Sequence, residues 1–515
     1  MTTTDSATSA SDPATAASLI LEAYASYRAR LTDVIARAKP HFERRDWHGV
    51  QADSAHRLGL YNLAVQEGLQ RLRDRLGPAL VAHGTWAGLR AAYAPLIAGR
   101  DDAEIAETFF NSFTRRLFQT VGVDPEMEFV SPADDTPRYH APWSQTIRID
   151  ATGGPPAAAF RAVLDAFEFA PGYLDPDGDA GRLAERTAAV PFDAIELARA
   201  VFYRGKGAYL VGKLFDGDRE TPLLIALTNA TGQVGVDAVL TTADEVSVVF
   251  SFARSYFLVD TDRPRELVDY LRTIMPRKPL SELYNAVGFN KHGKTELYRS
   301  LLRHLATSDD RFVVAPGQRG MVMAVFTLPG FDVVFKVIRD RFEYPKTVTH
   351  DEVRQKYRMV FRHDRAGRLV DAQEFEHLAF ARDRFHSGLL HELLTSCSER
   401  VRLVGDTVDI SHLYTERRLR PLDVYLREAS PDAARDAVVD YGLALRDLAA
   451  TNVFPGDMLL KNFGVSRHGR LIFYDYDELC TLAECRFREL PAPREDADEG
   501  AAEAWFYVGE RDIFP

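Results

Sequence analysis

The sequence predicts an α+β protein in two parts, mainly helical over residues 16–310 and strand-rich from 311 onward. Three observations carry this reading. Apolar side chains recur at helical spacing through the first 120 or so positions. From residue 312 the pattern changes to short β-branched and aromatic runs separated by Pro-Gly and Gly turns. Finally, residues 454–477, FPGDMLLKNFGVSRHGRLIFYDYD, place Asp457, Asn462 and Asp475 at D-x4-N-x12-D. At that spacing a protein kinase sets the acid that accepts a hydroxyl proton, and the amide and carboxylate that hold magnesium on ATP. The usual flanking letters H-R-D and D-F-G read P-G-D and D-Y-D here. The second part is therefore expected to be a diverged, bilobal protein-kinase-like domain.

Composition narrows the function classes. At 515 residues the chain is too long for a single core. A net charge of −12 and a pI near 5.7 oppose a nucleic-acid partner. The three cysteines, Cys397, Cys480 and Cys485, form no C-x2-C pair, so neither a zinc site nor a disulfide framework is supported, and a reducing cytoplasm fits. No apolar run approaches 18 residues, so no membrane partner is expected.

The elements follow in order. Residues 1–15 have the composition of a disordered tail, with neither a basic n-region nor an apolar h-region. Ile20, Tyr24, Tyr27, Leu31 and Val34 share one helix face, and Pro40 is expected to end that helix. Further helical runs cover 55–77 and 103–121. TGGPPA at 152–157 reads as a turn. DPDGDA at 175–180 reads as an acidic loop, and it lacks the twelve-residue calcium pattern. Strands are expected at 233–240 and 245–252, and helices at 263–274 and 294–305.

Beyond residue 310 the order is strand, glycine loop, strand, Pro329-Gly330 turn, strand. The loop holds Ala315, Pro316, Gly317, Gln318, Arg319, Gly320 and Met321. Its glycines let backbone N–H groups approach phosphate, although G-x-x-G alone is also a common turn. Lys336 interrupts the apolar run VVFKVI. A lysine there is costly to bury without an anion, so it is read as the grip on the ATP phosphates; the bland alternative is an edge-strand lysine. Glu352, sixteen residues on in a helical stretch, is the expected carboxylate partner of Lys336, with Asp351 as a competitor. Tyr414, Thr415, Glu416 and Arg417 follow a strand-like run and are read as the hinge that meets adenine. Asp457 would take the hydroxyl proton, with Lys461 near the transferred phosphate. Asn462 and Asp475 would hold the metal, and Asp477 adds a further carboxylate. The alternative, a solvated acidic turn, leaves clustered like charges without a cation.

These segments resemble a known family. APGQRGMVMAVFTLPGFDVVFKVIRDRF, ERRLRPLDVYL, YNAVGFNKHGKTELYR and NVFPGDMLLKNFGVSRHGRLIFYDYDELC are similar to the bacterial isocitrate dehydrogenase kinase/phosphatases from about Ile20 onward. The resemblance implies an N-terminal regulatory domain over 16–310 and a kinase-like domain over 311–515, with its small lobe at about 311–415 and its large lobe from about 416. It also implies a bifunctional enzyme. With ATP and magnesium or manganese it would phosphorylate a serine of NADP-dependent isocitrate dehydrogenase, and it would remove the same phosphate. AMP and other metabolites would act as effectors, and a homodimer stays open. By the same resemblance residues 315–321 and Lys336 bind ATP, Asp371 in GRLVDAQEFEH is an active-site acid, and Asp477 serves the phosphatase half. Family members run several dozen residues past Pro515, so an incomplete large lobe with exposed apolar surface is expected. Two other classes remain open at this point. One is a non-catalytic regulatory binder on a kinase-like fold, which the intact Lys336, Asp457, Asn462 and Asp475 oppose. The other is a small-molecule kinase, which the large N-terminal part opposes.

Overall fold

A helix over Pro13–Ala36 opens the fold and buries Ile20, Tyr24, Tyr27, Leu31 and Val34, the stripe set by their alternating spacing of four and three. The computed structural model describes residues 13–130, 145–251, 256–342, 348–363, 366–492, 506–509 and 511–514. Residues 1–12 of the expected tail lie outside these, and residues 13–15 already belong to the first helix. That helix ends before Pro40. The proline sits instead in the first turn of Ala38–Arg44, where its missing N–H has no helical partner to lose. Trp47–Leu76, His83–Ile97 and Ala103–Leu117 complete a helical layer around Tyr24, Trp86, Tyr93, Phe109 and Phe113.

An antiparallel sheet follows, ordered Thr146–Asp150, Ala194–Ala198, Gly207–Asp216, Arg219–Thr228 and Gly235–Leu240, with Phe202–Arg204 paired to Gly207–Asp216. Two expectations fail here for local reasons. The acidic 175–180 segment opens the helix Pro176–Arg186, because the Asp175 carboxylate accepts the Gly178 N–H as an N-cap. The expected 245–252 strand is largely the helix Ala243–Val249, started by a capping box between Thr242 and Glu245. The box satisfies the first free N–H groups, and this outweighs the β-branched composition. Helices Pro264–Ile274, Leu280–Ala286 and Asn290–Thr307 lead to the second part.

The second part begins with five strands in the order β4-β5-β3-β2-β1, where β1 is Val313–Val314, β2 Met323–Leu328, β3 Phe331–Ile338, β4 Ala372–Ala381 and β5 Thr407–Arg417. Every pairing among them is antiparallel, and Val401–Val404 adds to β5. The helix His350–His363 falls between β3 and β4, as in the small lobe of a protein kinase. Leu301 and Leu305 of Asn290–Thr307 share the core of this sheet with Phe312, Phe326 and Phe335, so the helical part and the small lobe are packed as one. The larger lobe holds helices Leu422–Glu428 and Pro431–Ala450 and a sheet of Arg420–Pro421, Phe463–Val465 and Leu471–Phe473. No described helix is long and apolar enough to cross a membrane.

Arg368 pins the lobes together. Its buried guanidinium donates to both oxygens of Asp440 at 2.8 Å, to Asp447 at 2.9 Å and to the Leu471 carbonyl at 3.1 Å. Arg368→Leu is expected to destabilise the protein by on the order of 3 kcal/mol. That is the low end for breaking a buried ion pair, because both carboxylates are partly exposed. A lower urea midpoint measures it, and an unchanged midpoint contradicts it.

Candidate functional site

β3 carries Lys336 opposite Val325 of β2 and Tyr414 of β5, inside the sheet and not at its edge. Its ammonium is almost fully buried and lies 2.7 Å from Glu416 Oε2 and 2.9 Å from the Tyr474 carbonyl, which it donates to. The rings of Tyr474 and Tyr476 add cation–π contacts at 5.3 and 5.9 Å. Glu416 also accepts the Tyr357 hydroxyl at 3.1 Å. Burial pushes the Glu416 carboxyl above its ordinary range, against the pull of the Lys336 ammonium and the Tyr357 hydroxyl.

The carboxylate on Lys336 is thus Glu416, not Glu352. Glu352 caps its own helix: its Oε2 accepts the Thr349 N–H at 2.7 Å and hydroxyl at 2.8 Å, and its side chain faces solvent. The T-x-x-E spacing at 349–352 signals that box in the sequence. The hinge expectation also shifts. Tyr414 to Arg417 still belong to β5 and pair with β3, and Tyr414 to Glu416 pair with β4 as well. The crossing into the large lobe comes after them.

On the other lobe, the chain turns sharply at Gly456, with φ +80°; a Cβ there would stand 2.4 Å from the Glu478 carbonyl. This turn delivers Asp457, whose Oδ1 accepts the Leu459 N–H at 2.9 Å. Asn462 is buried, and its Nδ2 donates to the Asp457 carbonyl at 3.3 Å. The amide oxygen is thereby turned away from that bond and kept as an acceptor-type ligand. The strand Leu471–Phe473 carries the chain to Asp475 and Asp477.

A cavity of about 350 Å³ lies between these groups. Residues 315–321, Lys336, Glu416, Asp457, Lys461, Asn462, Asp475 and Asp477 all line it, together with apolar Val322, Val334 and Leu419. Glu352 and Asp371 do not. Asp371 lines a second cavity of about 350 Å³, where its Oδ2 accepts Asn285 Nδ2 at 3.1 Å and Gln373 Nε2 at 2.9 Å. Spacing cannot reveal this, since Asn285 lies 86 positions away. Arg339 and Glu392 also line the first cavity, and no motif in the sequence marks them.

The donor set suits a hard cation. Among the described residues no three His, Cys, Asp or Glu side chains form a metal cage. One amide and one carboxylate, Asn462 and Asp475, are what a magnesium site needs when phosphate oxygens and water supply the rest.

A five-stranded small lobe, a glycine loop, a buried strand lysine and this acid–amide–acid set define a protein-kinase-like nucleotide site. The kinase-domain model of the isocitrate dehydrogenase kinase/phosphatase family (AceK) matches residues 310–515, and the regulatory-domain model of the same family matches 17–309. The chain is 51% identical over 507 residues to an isocitrate dehydrogenase kinase/phosphatase of Anaeromyxobacter sp. (strain Fw109-5), covering 96% of this chain and 86% of that one. It is 50% identical over 520 residues to the protein of that name from Anaeromyxobacter dehalogenans (strain 2CP-C), covering 97% and 88%. The chain belongs to the isocitrate dehydrogenase kinase/phosphatase family.

Removing Glu416 strands the Lys336 ammonium in a buried site. Glu416→Ala is expected to cost about 3–5 kcal/mol in chemical unfolding, as for one partner of a buried pair. Glu352→Ala, at an exposed helix start, is expected to change stability far less. Equal losses in the two variants would reassign the partner of Lys336.

Proposed function

We propose that this chain phosphorylates a serine of NADP-dependent isocitrate dehydrogenase with ATP, inactivating it. We propose further that it removes the same phosphate, so directing flux between the Krebs cycle and the glyoxylate bypass in the cytoplasm. The observation that carries this reading is the convergence of Lys336, Asp457, Asn462 and Asp475 on one cavity, in a chain half identical to proteins of that name. Residues 311–515 are the catalytic unit in this reading, and 16–310 the regulatory one.

ATP takes the first cavity, with loop 315–321 over its phosphates and Lys336 beside them. Asp457 accepts the proton as the serine oxygen attacks the γ-phosphorus and the bond to the β-phosphate oxygen breaks, releasing ADP. A divalent cation held by Asn462 and Asp475 would neutralise charge on the phosphate oxygens. In the reverse service water replaces the serine as nucleophile on phosphoserine, yielding serine and inorganic phosphate. Asp477 orients that water. The loose transition state of phosphoryl transfer lets one set of cations serve both attacking oxygens.

AMP is assigned to the second cavity. It lies between the two parts, with Tyr256, Asn285 and Glu282 from one side and Asp371, Arg417 and Arg467 from the other. Glu416, Arg417 and Leu419 line both cavities, which supplies a physical route between effector and ATP. In this reading Asp371 belongs to the effector site.

Radiolabelled phosphate followed on isocitrate dehydrogenase, with ATP, magnesium and AMP added or withheld, tests the scheme. Lys336→Ala is expected to abolish both activities; either one surviving at the wild-type rate excludes a shared site. Asp477→Ala is expected to lose dephosphorylation by at least about 100-fold while phosphorylation persists. Full dephosphorylation by that variant removes Asp477 from the mechanism.

A further inference from the structure

One carboxylate from outside the five-stranded sheet holds the phosphate-facing loop. Glu392 lies on the helix Ser387–Ser396, which the chain inserts between β4 and β5. Its Oε1 accepts Arg339 Nη2 at 2.6 Å, and Arg319 of the loop at 3.0 Å from Nε and 2.7 Å from Nη2. Arg339 follows directly on β3 and is buried. Its Nε donates to the Gly320 carbonyl at 3.1 Å and its Nη1 to Ser396 Oγ at 2.8 Å. A single guanidinium thereby ties the loop, the end of the lysine strand and the inserted helix to one another. Burial opposes the charge on Glu392, but the two guanidiniums prevail and keep its carboxyl below the ordinary range.

We propose that Glu392 and Arg339 are positioning residues for the nucleotide phosphates, holding loop 315–321 in the conformation that receives them. The proposal rests on the assignment of ATP to the first cavity. A glycine loop has many accessible backbone conformations, and Gly317 already stands at φ +117°. Affinity for a ligand that needs one conformation falls by the fraction of time the loop spends there. The Arg339–Glu392 pair carries the hold, since its side chains are 6% and 11% exposed. Arg319 is 67% exposed, so its own pair is screened and weak. Adenosine carries no phosphate for this loop to meet, which separates positioning from general stability.

The test is equilibrium binding of ATP, ADP and adenosine to the full chain as wild type, Lys336→Ala and Glu392→Gln, with thermal melting alongside. Glu392→Gln is expected to weaken ATP and ADP about tenfold, as for a loop competent a tenth of the time. Adenosine affinity is expected to hold, and the KM for ATP to rise by a larger factor than kcat falls. Arg339→Lys keeps the charge but loses the fork to Gly320 and Ser396, and the same pattern is expected from it should Glu392→Gln fail to fold. Wild-type ATP affinity in the folded variants, or equal losses for ATP and adenosine, would overturn the proposal. If the wild type binds no ATP, or Lys336→Ala binds it equally well, the ATP assignment itself fails and the positioning role falls with it. Binding that depends on Lys336 but not on Glu392 removes the positioning role alone.

Discussion

The site depends on the buried ion pair between Lys336 and Glu416. A lone ammonium in the middle of a sheet is heavily penalised by lost hydration, and an ion pair offsets that only with good geometry and further hydrogen bonds. Here Glu416 supplies the charge at 2.7 Å, Tyr357 completes the carboxylate, and the Tyr474 carbonyl completes the ammonium. Because Glu416 lies in the small lobe and Tyr474 in the large one, this one lysine registers the two lobes against each other. Asp475 is the next residue after Tyr474, so its carboxylate is placed by the same contact. Its charge also reaches Glu416, adding to the upward push on that carboxyl.

The end of β5 links this pair to the rest of the molecule. Successive side chains on a strand face opposite ways. Glu416 accordingly meets Lys336, while Arg417 meets Glu282 of the helical part at 3.0 and 3.1 Å. Lys278 joins Glu282 at 3.2 Å. Arg417, bonded to the helical part, is thus the chain neighbour of the residue that neutralises Lys336. Adjacent positions on one strand line both cavities and carry the ion pairs on either side of β5. Asn285, on the same helix as Glu282, reaches Asp371 just ahead of β4, so two of the five small-lobe strands are tied to the helical part by side-chain bonds.

Glycines make the site's sharpest local demands. Gly456 occupies a left-handed turn against the Glu478 carbonyl, so the chain entering Asp457 is held by the chain leaving Asp477.

Much of this was legible in the linear chain wherever a physical signal is local. The stripe from Ile20 to Val34 and the strand–loop–strand order around Lys336 report a periodicity and a local pattern, and both fall in the expected elements; the D-x4-N-x12-D residues line one cavity with Lys336. Local signals mislead where two compete. The Thr242/Glu245 box made a helix of an apparent strand, and the Thr349/Glu352 box took Glu352 away from Lys336. Contacts between distant positions were decided only by the folded chain. The choice of Glu416 over Glu352 depends on β5 pairing with β3, and the placement of Asp371 on Asn285 depends on helices docking against the small lobe. The grip of Glu392 on the loop depends on an inserted helix packing beside β3. Periodicity and spacing describe a few neighbouring residues; which charges neutralise one another is settled when segments dozens of positions apart lose water together.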